Sequence, residues 1–208
     1  MKGKGIFITG IGTDIGKTIA SAILVEKFEA DYWKPIQSGD LHFSDTDKVK
    51  SLVSNARSQF LPEYIRLKNP FSPHKAADLE NVEIHIQEIE IPNSKNFLFI
   101  EGAGGLMVPL NKKETLLDFI KLVNFPVVLV SKNYLGSINH TLLSISKLRQ
   151  ENLAIQGILF MGEKDPYTEG YILENTGVCF LGRIPILESL TKESIKEAGK
   201  DVHFALDF

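Results

Sequence analysis

The stretch TGIGTDIGKT, residues 9–18, has the residue types of a phosphate-binding loop. It follows an apolar run that predicts a strand, and it ends in Gly16-Lys17-Thr18, where a helical pattern starts. Glycines let backbone N–H groups approach a polyphosphate, a lysine reaches its terminal phosphates, and a threonine hydroxyl can bind Mg²⁺. The usual spacing would put the first glycine at Ile11, whereas this loop counts one residue more from Gly10. We therefore predict a nucleotide site in a lengthened loop.

Two further polar clusters follow later strand candidates. In KPIQSG, residues 34–39, Lys34 and Ser38 could stabilise charge on a transferring phosphoryl group, although an exposed, solvated lysine is the ordinary reading of Lys34 alone. We expect a Lys34→Ala variant to lose turnover while remaining folded, because an exposed lysine at a strand end adds little stability. In EGAGG, residues 101–105, Glu101 ends an apolar strand where nucleotide-binding folds hold a metal, and the glycines allow close approach to a ligand.

The stretch SDTD, residues 44–47, predicts a helix start with Ser44 as its N-cap. Asp45 and Asp47 are either carboxylates that the helix dipole favours, or one of them contacts Mg²⁺, with Asp45 preferred. LGSINH, residues 135–140, predicts a turn into a helix N-terminus that suits a carboxylate ligand, with His140 in a structural role.

The composition narrows the class of protein. With 208 residues, 43% of them apolar, and a formal charge of −3, the chain is expected to form one globular domain over residues 1–208 and gives no electrostatic reason to bind nucleic acid or an anionic membrane. No apolar stretch approaches the length of a membrane span, so we expect a cytoplasmic protein. Cys179 is the only cysteine, which excludes an intramolecular disulfide, and its surroundings predict a buried strand.

Short apolar runs alternate with segments of helical period, and several runs are apolar on consecutive residues, as in strands covered on both faces. The strand candidates are residues 5–9, 32–36, 97–101, 126–131, 155–161 and 178–185. Helical patterns cover residues 16–30, 44–56, 113–123, 137–152 and 188–199. This order predicts a doubly wound α/β fold of the P-loop NTPase kind, with a mostly parallel sheet, helices on both faces and ligands at the carboxyl ends of the strands. The irregular residues 54–93 should cover one edge of the site, and FSPHKAA within them reads as a helix entry, with the role of His74 open.

Taken together, the motifs resemble those of the dethiobiotin synthetase family, in the family's order and over nearly the whole chain. They are GTDIGKT, KPIQSG, SD, SPH, EGAGG, LGSINH and GRIP. Related forms of two of them occur in cobyrinate amidating synthases, but those enzymes need a glutaminase domain for which 208 residues leave no room.

The resemblance implies an ATP-dependent closure of a ureido ring. Carbon dioxide adds to one amine of 7,8-diaminopelargonic acid, ATP phosphorylates the carbamate, and the second amine closes dethiobiotin. It also implies Mg²⁺, and a homodimer in which LGSINH of one subunit binds the substrate carboxylate of the other. The implied catalytic residues are Thr13, Lys17, Lys34 and Ser38. The implied metal ligands are Thr18, Asp45 or Asp47, and Glu101.

The remaining residues that the resemblance implies bind the two substrates. Those for the substrate are Thr13, Lys34, Ser38, Leu135, Gly136 and Asn139. Those for the nucleotide are Gly12, Thr13, Asp14, Ile15, Gly16, Lys17, Thr18, Ile19, Glu101, Gly102, Ala103, Gly104, Pro185, Ile186 and Leu187.

One position departs from the family pattern. Family members commonly end the strand that here reads GILFM with an asparagine that pairs with the nucleotide base, and Met161 stands in its place. GRIPIL, residues 182–187, still resembles the second base-contacting segment. We therefore expect weaker base discrimination, so that other nucleoside triphosphates compete with ATP.

Three other functions share parts of this pattern. A partitioning-type P-loop ATPase switch would carry a second lysine early in the loop, and residues 11–15 contain none. A small-molecule kinase would need an arginine-rich lid and would leave LGSINH unexplained. A nonenzymatic nucleotide-binding module would leave Lys34 and Ser38 without a task.

Overall fold

The computed structural model describes residues 4–204, which form nine strands and seven α-helices. The strands are β1 Gly5–Gly10, β2 Asp31–Trp33, β3 Ile36–Ser38, β4 Phe60–Leu61, β5 Ile65–Leu67, β6 Leu98–Gly105, β7 Val127–Lys132, β8 Ile155–Met161 and β9 Phe180–Ile184. Seven strands form a parallel sheet in the order β4-β2-β6-β1-β7-β8-β9, while β3 and β5 form a separate parallel pair.

The helices are α1 Lys17–Phe28, α2 Asp45–Leu52, α3 Pro73–Leu79, α4 Leu116–Val123, α5 Ser137–Gln150, α6 Pro166–Thr176 and α7 Lys192–Ala198. Two short 3₁₀ turns cover Ile86–Glu88 and Gly199–Asp201. No helix within residues 4–204 is long and apolar enough to cross a lipid bilayer.

Helices cover both faces of the sheet. Because successive strand residues point to opposite faces, Ile6 and Ile8 pack in the cluster that contains α1, α2 and α7, whereas Phe7 packs with α3 and α4. On this second face, α5 and α6 pack against β7 and β8. The predicted doubly wound fold with a parallel sheet is confirmed.

The strand predicted over residues 32–36 is wrong at its end, because β2 stops at Trp33 and Ile36 begins β3. Pro35 has no N–H to continue the ladder. Its carbonyl instead accepts hydrogen bonds from the N–H groups of Tyr64 and Ile65, each at 2.9 Å. The chain therefore leaves the main sheet at Lys34.

Other differences have local causes. β6 continues past Glu101 to Gly105, where it pairs with Gly10. β4, β5 and α6 were not predicted from the sequence. A helix-start signal does precede α6, since the Asp165 side chain accepts from two backbone N–H groups just before a first-turn proline, but the helix buries few apolar residues. The prediction of a buried Cys179 is also wrong, because this residue is exposed and precedes β9.

Candidate active site

A cavity of about 960 Å³ opens at the carboxyl ends of the central strands. Its lining comes from the loop before α1, the segment that leaves the sheet after β2, the start of α2, the segment before α3, and the glycine-rich end of β6. Parallel strands direct their carboxyl ends to one edge of the sheet, so four sequence motifs meet in one place.

The phosphate-binding loop packs against the core on one side and lines the cavity on the other. Ile15 is buried in the core, and Met161 of β8 packs under Gly16, the left-handed N-cap of α1 (φ 95°). No side chain of residues 4–204 caps this helix start. The Lys17 amine donates to the carbonyl of Gly12 at 2.7 Å. The first backbone N–H groups of α1 are therefore available to an anion.

Glu101 is the most densely hydrogen-bonded carboxylate of this edge, and its side chain is fully buried. Thr18 Oγ1 donates to Glu101 Oε1 at 3.0 Å, and the Lys34 amine lies 3.3 Å from the same oxygen. Ser21 Oγ donates to Oε2 at 2.7 Å, and the Tyr32 hydroxyl donates to Oε2 at 2.9 Å. Burial, reinforced by the Glu101 charge, raises the pKa of Tyr32 well above its ordinary value, so its hydroxyl stays a donor.

Lys34 is buried, with 6% of its surface exposed, between the carboxylates of Glu101 and Asp45. The expectation of an exposed lysine is therefore wrong. Burial alone would lower the pKa of Lys34, but the two carboxylates together outweigh it and raise that pKa. Burial likewise works against the charge of Asp45, yet Lys34 and then Lys48 lower its pKa. Both groups are charged at neutral pH.

Lys17 differs from Lys34 because it has no ion-pair partner within the described residues. Burial lowers the pKa of Lys17 to about 8; the negative charge of Glu101 opposes that shift, and the positive charge of Lys34 adds to it. Of the two buried lysines that line the cavity, Lys17 therefore has the less compensated charge.

Asp47 does not reach the cavity lining. Its carboxylate accepts from the Ser44 N–H at 2.9 Å and from the Ser44 hydroxyl at 3.0 Å, while Ser44 Oγ accepts from the Asp47 N–H. These hydrogen bonds form a capping box at the start of α2 and lower the pKa of Asp47. The geometry therefore favours Asp45, which lines the cavity, over Asp47 as a metal contact.

Eight of the other predicted residues line this cavity, namely Thr13, Asp14, Gly16, Thr18, Ile19, Ser38, Ala103 and Gly104. Ser38 lines the cavity, and its buried Oγ has no hydrogen-bond partner within residues 4–204. Gly102 has a packing role instead, because a Cβ there would lie 2.8 Å from both Leu116 and Phe7. Ile15 is a core residue, and Gly12 contributes its carbonyl to Lys17.

Two predicted segments lie outside the cavity lining of the described chain. Pro185 and Ile186 are exposed, and Leu187 packs partly on the core. Leu135, Gly136 and Asn139 are exposed at the start of α5.

The cavity also contains residues that the sequence analysis missed. They are Ile36, Gln37, Asp40, Lys48, Pro70, Phe71, Ser72, Pro73, Val108 and Leu190. The irregular residues 54–93 were expected to cover one edge of the site, and residues 70–73 within them do so. His74, whose role was open, has its ring nitrogen 3.0 Å from Ser72 Oγ and does not line the cavity.

Comparison with known proteins gives matches over nearly the whole chain. A family model described as an AAA domain matches residues 4–194. The ATP-dependent dethiobiotin synthetase BioD of Christiangramia forsetii is 51% identical over 181 residues, which cover 87% of each chain. The protein of the same name from Cytophaga hutchinsonii is 44% identical over 193 residues, covering 92% of this chain and 93% of the relative.

Among solved structures, the septum site-determining protein MinD of Pyrococcus horikoshii, complexed with Mg-ADP, matches with a TM-score of 0.55. It is 14% identical, and the match covers 95% of this chain and 94% of that chain. At this identity, the resemblance shows the fold alone.

Proposed function

The chain belongs to the ATP-dependent dethiobiotin synthetase family, and from this premise we propose how its cavity closes the ureido ring. The enzyme is an ATP-dependent ligase that acts on small molecules. The observation that carries the mechanism is the continuity of the cavity, in which the phosphate-binding loop and Lys34 face one space. One ligand can therefore receive a phosphoryl group from the other without moving between sites.

We place the ATP phosphates on the free N–H groups at the start of α1. Their negative charge stabilises the positive charge of Lys17, which burial otherwise disfavours. Lys17 then leaves the Gly12 carbonyl and contacts the terminal phosphates. The longer loop still brings Thr13 to the cavity, so it can position a second ligand beside the nucleotide.

The second ligand is the diamine. One of its amines adds to carbon dioxide with loss of a proton and forms a carbamate, which Lys34, Ser38 and Thr13 hold. A carbamate oxygen attacks the γ-phosphorus and displaces ADP, giving a mixed anhydride. The second amine then attacks the carbonyl carbon, expels phosphate and loses a proton as the ring closes. The substrate supplies every nucleophile, so the protein contributes position and charge.

A magnesium ion fits the residues on this edge. Thr18, Asp45 and Glu101 offer only oxygen donors, and the Thr18 hydroxyl lies 3.0 Å from Glu101 Oε1. Residues 4–204 contain no cluster of three or more acidic, histidine or cysteine side chains that could hold a metal alone. That suits Mg²⁺, which commonly binds one or two carboxylates and takes its other ligands from phosphates and water. When bound, it would neutralise charge on the transferred phosphoryl group.

We also propose a homodimer with shared active sites. Leu135 is fully exposed, and Gly136 and Asn139 lie beside it at the start of α5. The three residues line no part of the cavity within the described chain, which leaves them free to bind the substrate carboxylate in a partner subunit.

Product formation tests this function directly. The protein is incubated with diaminopelargonate, bicarbonate, Mg²⁺ and ATP, and dethiobiotin and phosphate are quantified. We expect one phosphate per ring and little ATP hydrolysis without the diamine. ATP hydrolysis that the diamine does not change would contradict the proposal and would favour a regulatory ATPase.

A further inference from the structure

Two hydroxyl groups deep in the protein converge on one oxygen of Glu101. Tyr32 comes from β2 and Ser21 from α1, and both side chains are fully buried. Their hydroxyls donate to Glu101 Oε2 at 2.9 Å and 2.7 Å. Neither residue lines the cavity in residues 4–204, so neither can touch a substrate there.

The other carboxylate oxygen has different neighbours. Glu101 Oε1 lies 3.0 Å from Thr18 Oγ1 and 3.3 Å from the Lys34 amine, both of which line the cavity. The two oxygens of the Glu101 carboxylate therefore have different surroundings. Oε2 is hydrogen-bonded in the protein interior, and Oε1 contacts residues that line the cavity. A glutamate has three side-chain torsions, and without the two donors the carboxylate could rotate so that neither oxygen is directed at the cavity.

We propose that Tyr32 and Ser21 are positioning residues that fix the orientation of the Glu101 carboxylate, with one oxygen facing the metal and phosphate side of the cavity. This inference rests on the proposed function of Glu101 as a metal ligand. Partners of this kind orient metal ligands in many proteins, and their loss commonly weakens metal binding by roughly 10- to 100-fold.

The test measures metal binding separately from turnover. Free Mn²⁺ is titrated by electron paramagnetic resonance in the presence of protein and ADP. The variants are Tyr32→Phe, Ser21→Ala and Glu101→Gln, with Tyr64→Phe and Ser131→Ala as controls. Tyr64 is an exposed tyrosine, and Ser131 is a fully buried serine that bonds Thr141 on the opposite face. We expect Tyr32→Phe and Ser21→Ala each to weaken Mn²⁺ binding about tenfold, and the two controls to leave it unchanged.

A double-mutant cycle separates positioning from a general loss of stability. In the Glu101→Gln background, Tyr32→Phe should change Mn²⁺ binding less than about twofold, because its effect acts through the carboxylate. Excess Mg²⁺ should restore most of the turnover of Tyr32→Phe. Equal effects of Tyr32→Phe with and without Glu101 would overturn the inference, as would unchanged Mn²⁺ binding in Tyr32→Phe and Ser21→Ala. Unchanged binding in Glu101→Gln would instead overturn the proposed metal ligand, and the inference with it.

Discussion

Buried charged side chains lie at the amino ends of the parallel strands (the amino edge of the sheet) and at their carboxyl ends (the carboxyl edge). The two groups are stabilised in different ways. At the amino edge, Glu26 accepts from the N–H groups of Ser54 and Asn55 at 2.7 Å and 3.1 Å. Asp31 accepts from the Gln59 N–H at 2.8 Å. The side chains of Ser54 and Asn55 also donate hydrogen bonds to Glu26. Those of Ser94 and Asn96 donate to Asp31. The residues that the structure describes give neither carboxylate an ion-pair partner.

At the carboxyl edge, Lys34 lies between Glu101 and Asp45, with Lys17 nearby. These charges compensate one another and face a cavity, whereas Glu26 and Asp31 are satisfied by neutral donors from loops. Neutral donors hold one loop arrangement in place. Charges that face a cavity can gain a new partner when a charged ligand enters, as proposed for Lys17, and this suits the carboxyl edge to catalysis.

The largest expected effect comes from removing the central cation. Lys34→Met should lower turnover by roughly 10²- to 10³-fold, because the transferring phosphoryl group and the carbamate lose a fixed positive charge. It should also cost about 3 kcal/mol of unfolding free energy, since Glu101 and Asp45 stay buried without their shared partner. Steady-state kinetics and denaturant unfolding measure the two effects.

Lys48→Met is the matched control, because Lys48 also contacts Asp45 but is more exposed. Its effect on turnover should be far smaller. Equal effects of the two variants would show that the buried position of Lys34 has no special role.

Glu26→Gln should have the opposite profile, with lower stability and nearly unchanged turnover. We expect a loss of about 2 kcal/mol, because the loop donors lose a charged acceptor. Hydrogen bonds from Ser54 and Asn55 lower the pKa of Glu26 despite its burial. Its contribution is therefore present above the ordinary pKa of a glutamate and is lost as the pH falls through the lower folded value.

Thermal unfolding between pH 3 and pH 7 checks this prediction. The stability of the parent should fall more steeply on acidification than that of Glu26→Gln. A large loss of turnover in the folded variant would remove the distinction between the two edges.

Nucleotide binding should take up a proton, because Lys17 has a pKa of about 8 in the free protein and phosphates favour its charged form. The affinity for ADP should fall roughly tenfold from pH 7 to pH 9 as the free protein loses this proton. Calorimetry in two buffers of different ionisation enthalpy measures the uptake. Binding without proton uptake near pH 8 would contradict the assigned charge of Lys17.

The smallest expected effect concerns the base. Met161 is buried beneath Gly16 and offers no amide to a nucleotide. One missing hydrogen-bond pair is worth about 1 kcal/mol, so GTP and CTP should support turnover within about tenfold of ATP. Competition assays with the three nucleotides measure this, and strong selectivity for ATP would show that other groups read the base.

The sequence predicted well which residues of the stretch 9–18 line the cavity, because the signals there are local. The glycines, Lys17 and Thr18 lie within ten consecutive residues, and apolar runs predicted the sheet beneath them. The neighbours of Lys34 were not predictable in this way, because the burial of Lys34 depends on α2 and β6, which are distant in sequence. For the same reason, the hydrogen bonds from Tyr32 and Ser21 to Glu101 were not predictable from the sequence. Residues 71–73 were predicted as part of a helix entry and Leu190 as part of a helix, and neither pattern indicates a residue that lines a cavity.

The most direct test of the proposed mechanism asks where an oxygen atom of carbon dioxide goes. The enzyme is mixed with ATP, Mg²⁺, diaminopelargonate and freshly dissolved ¹⁸O-labelled carbon dioxide, and the reaction is quenched within the first turnover. The proposed mixed anhydride predicts one ¹⁸O atom from carbon dioxide in each phosphate released, with the other in the ureido carbonyl. Unlabelled phosphate formed together with labelled dethiobiotin would contradict a carbamate as the acceptor of the phosphoryl group.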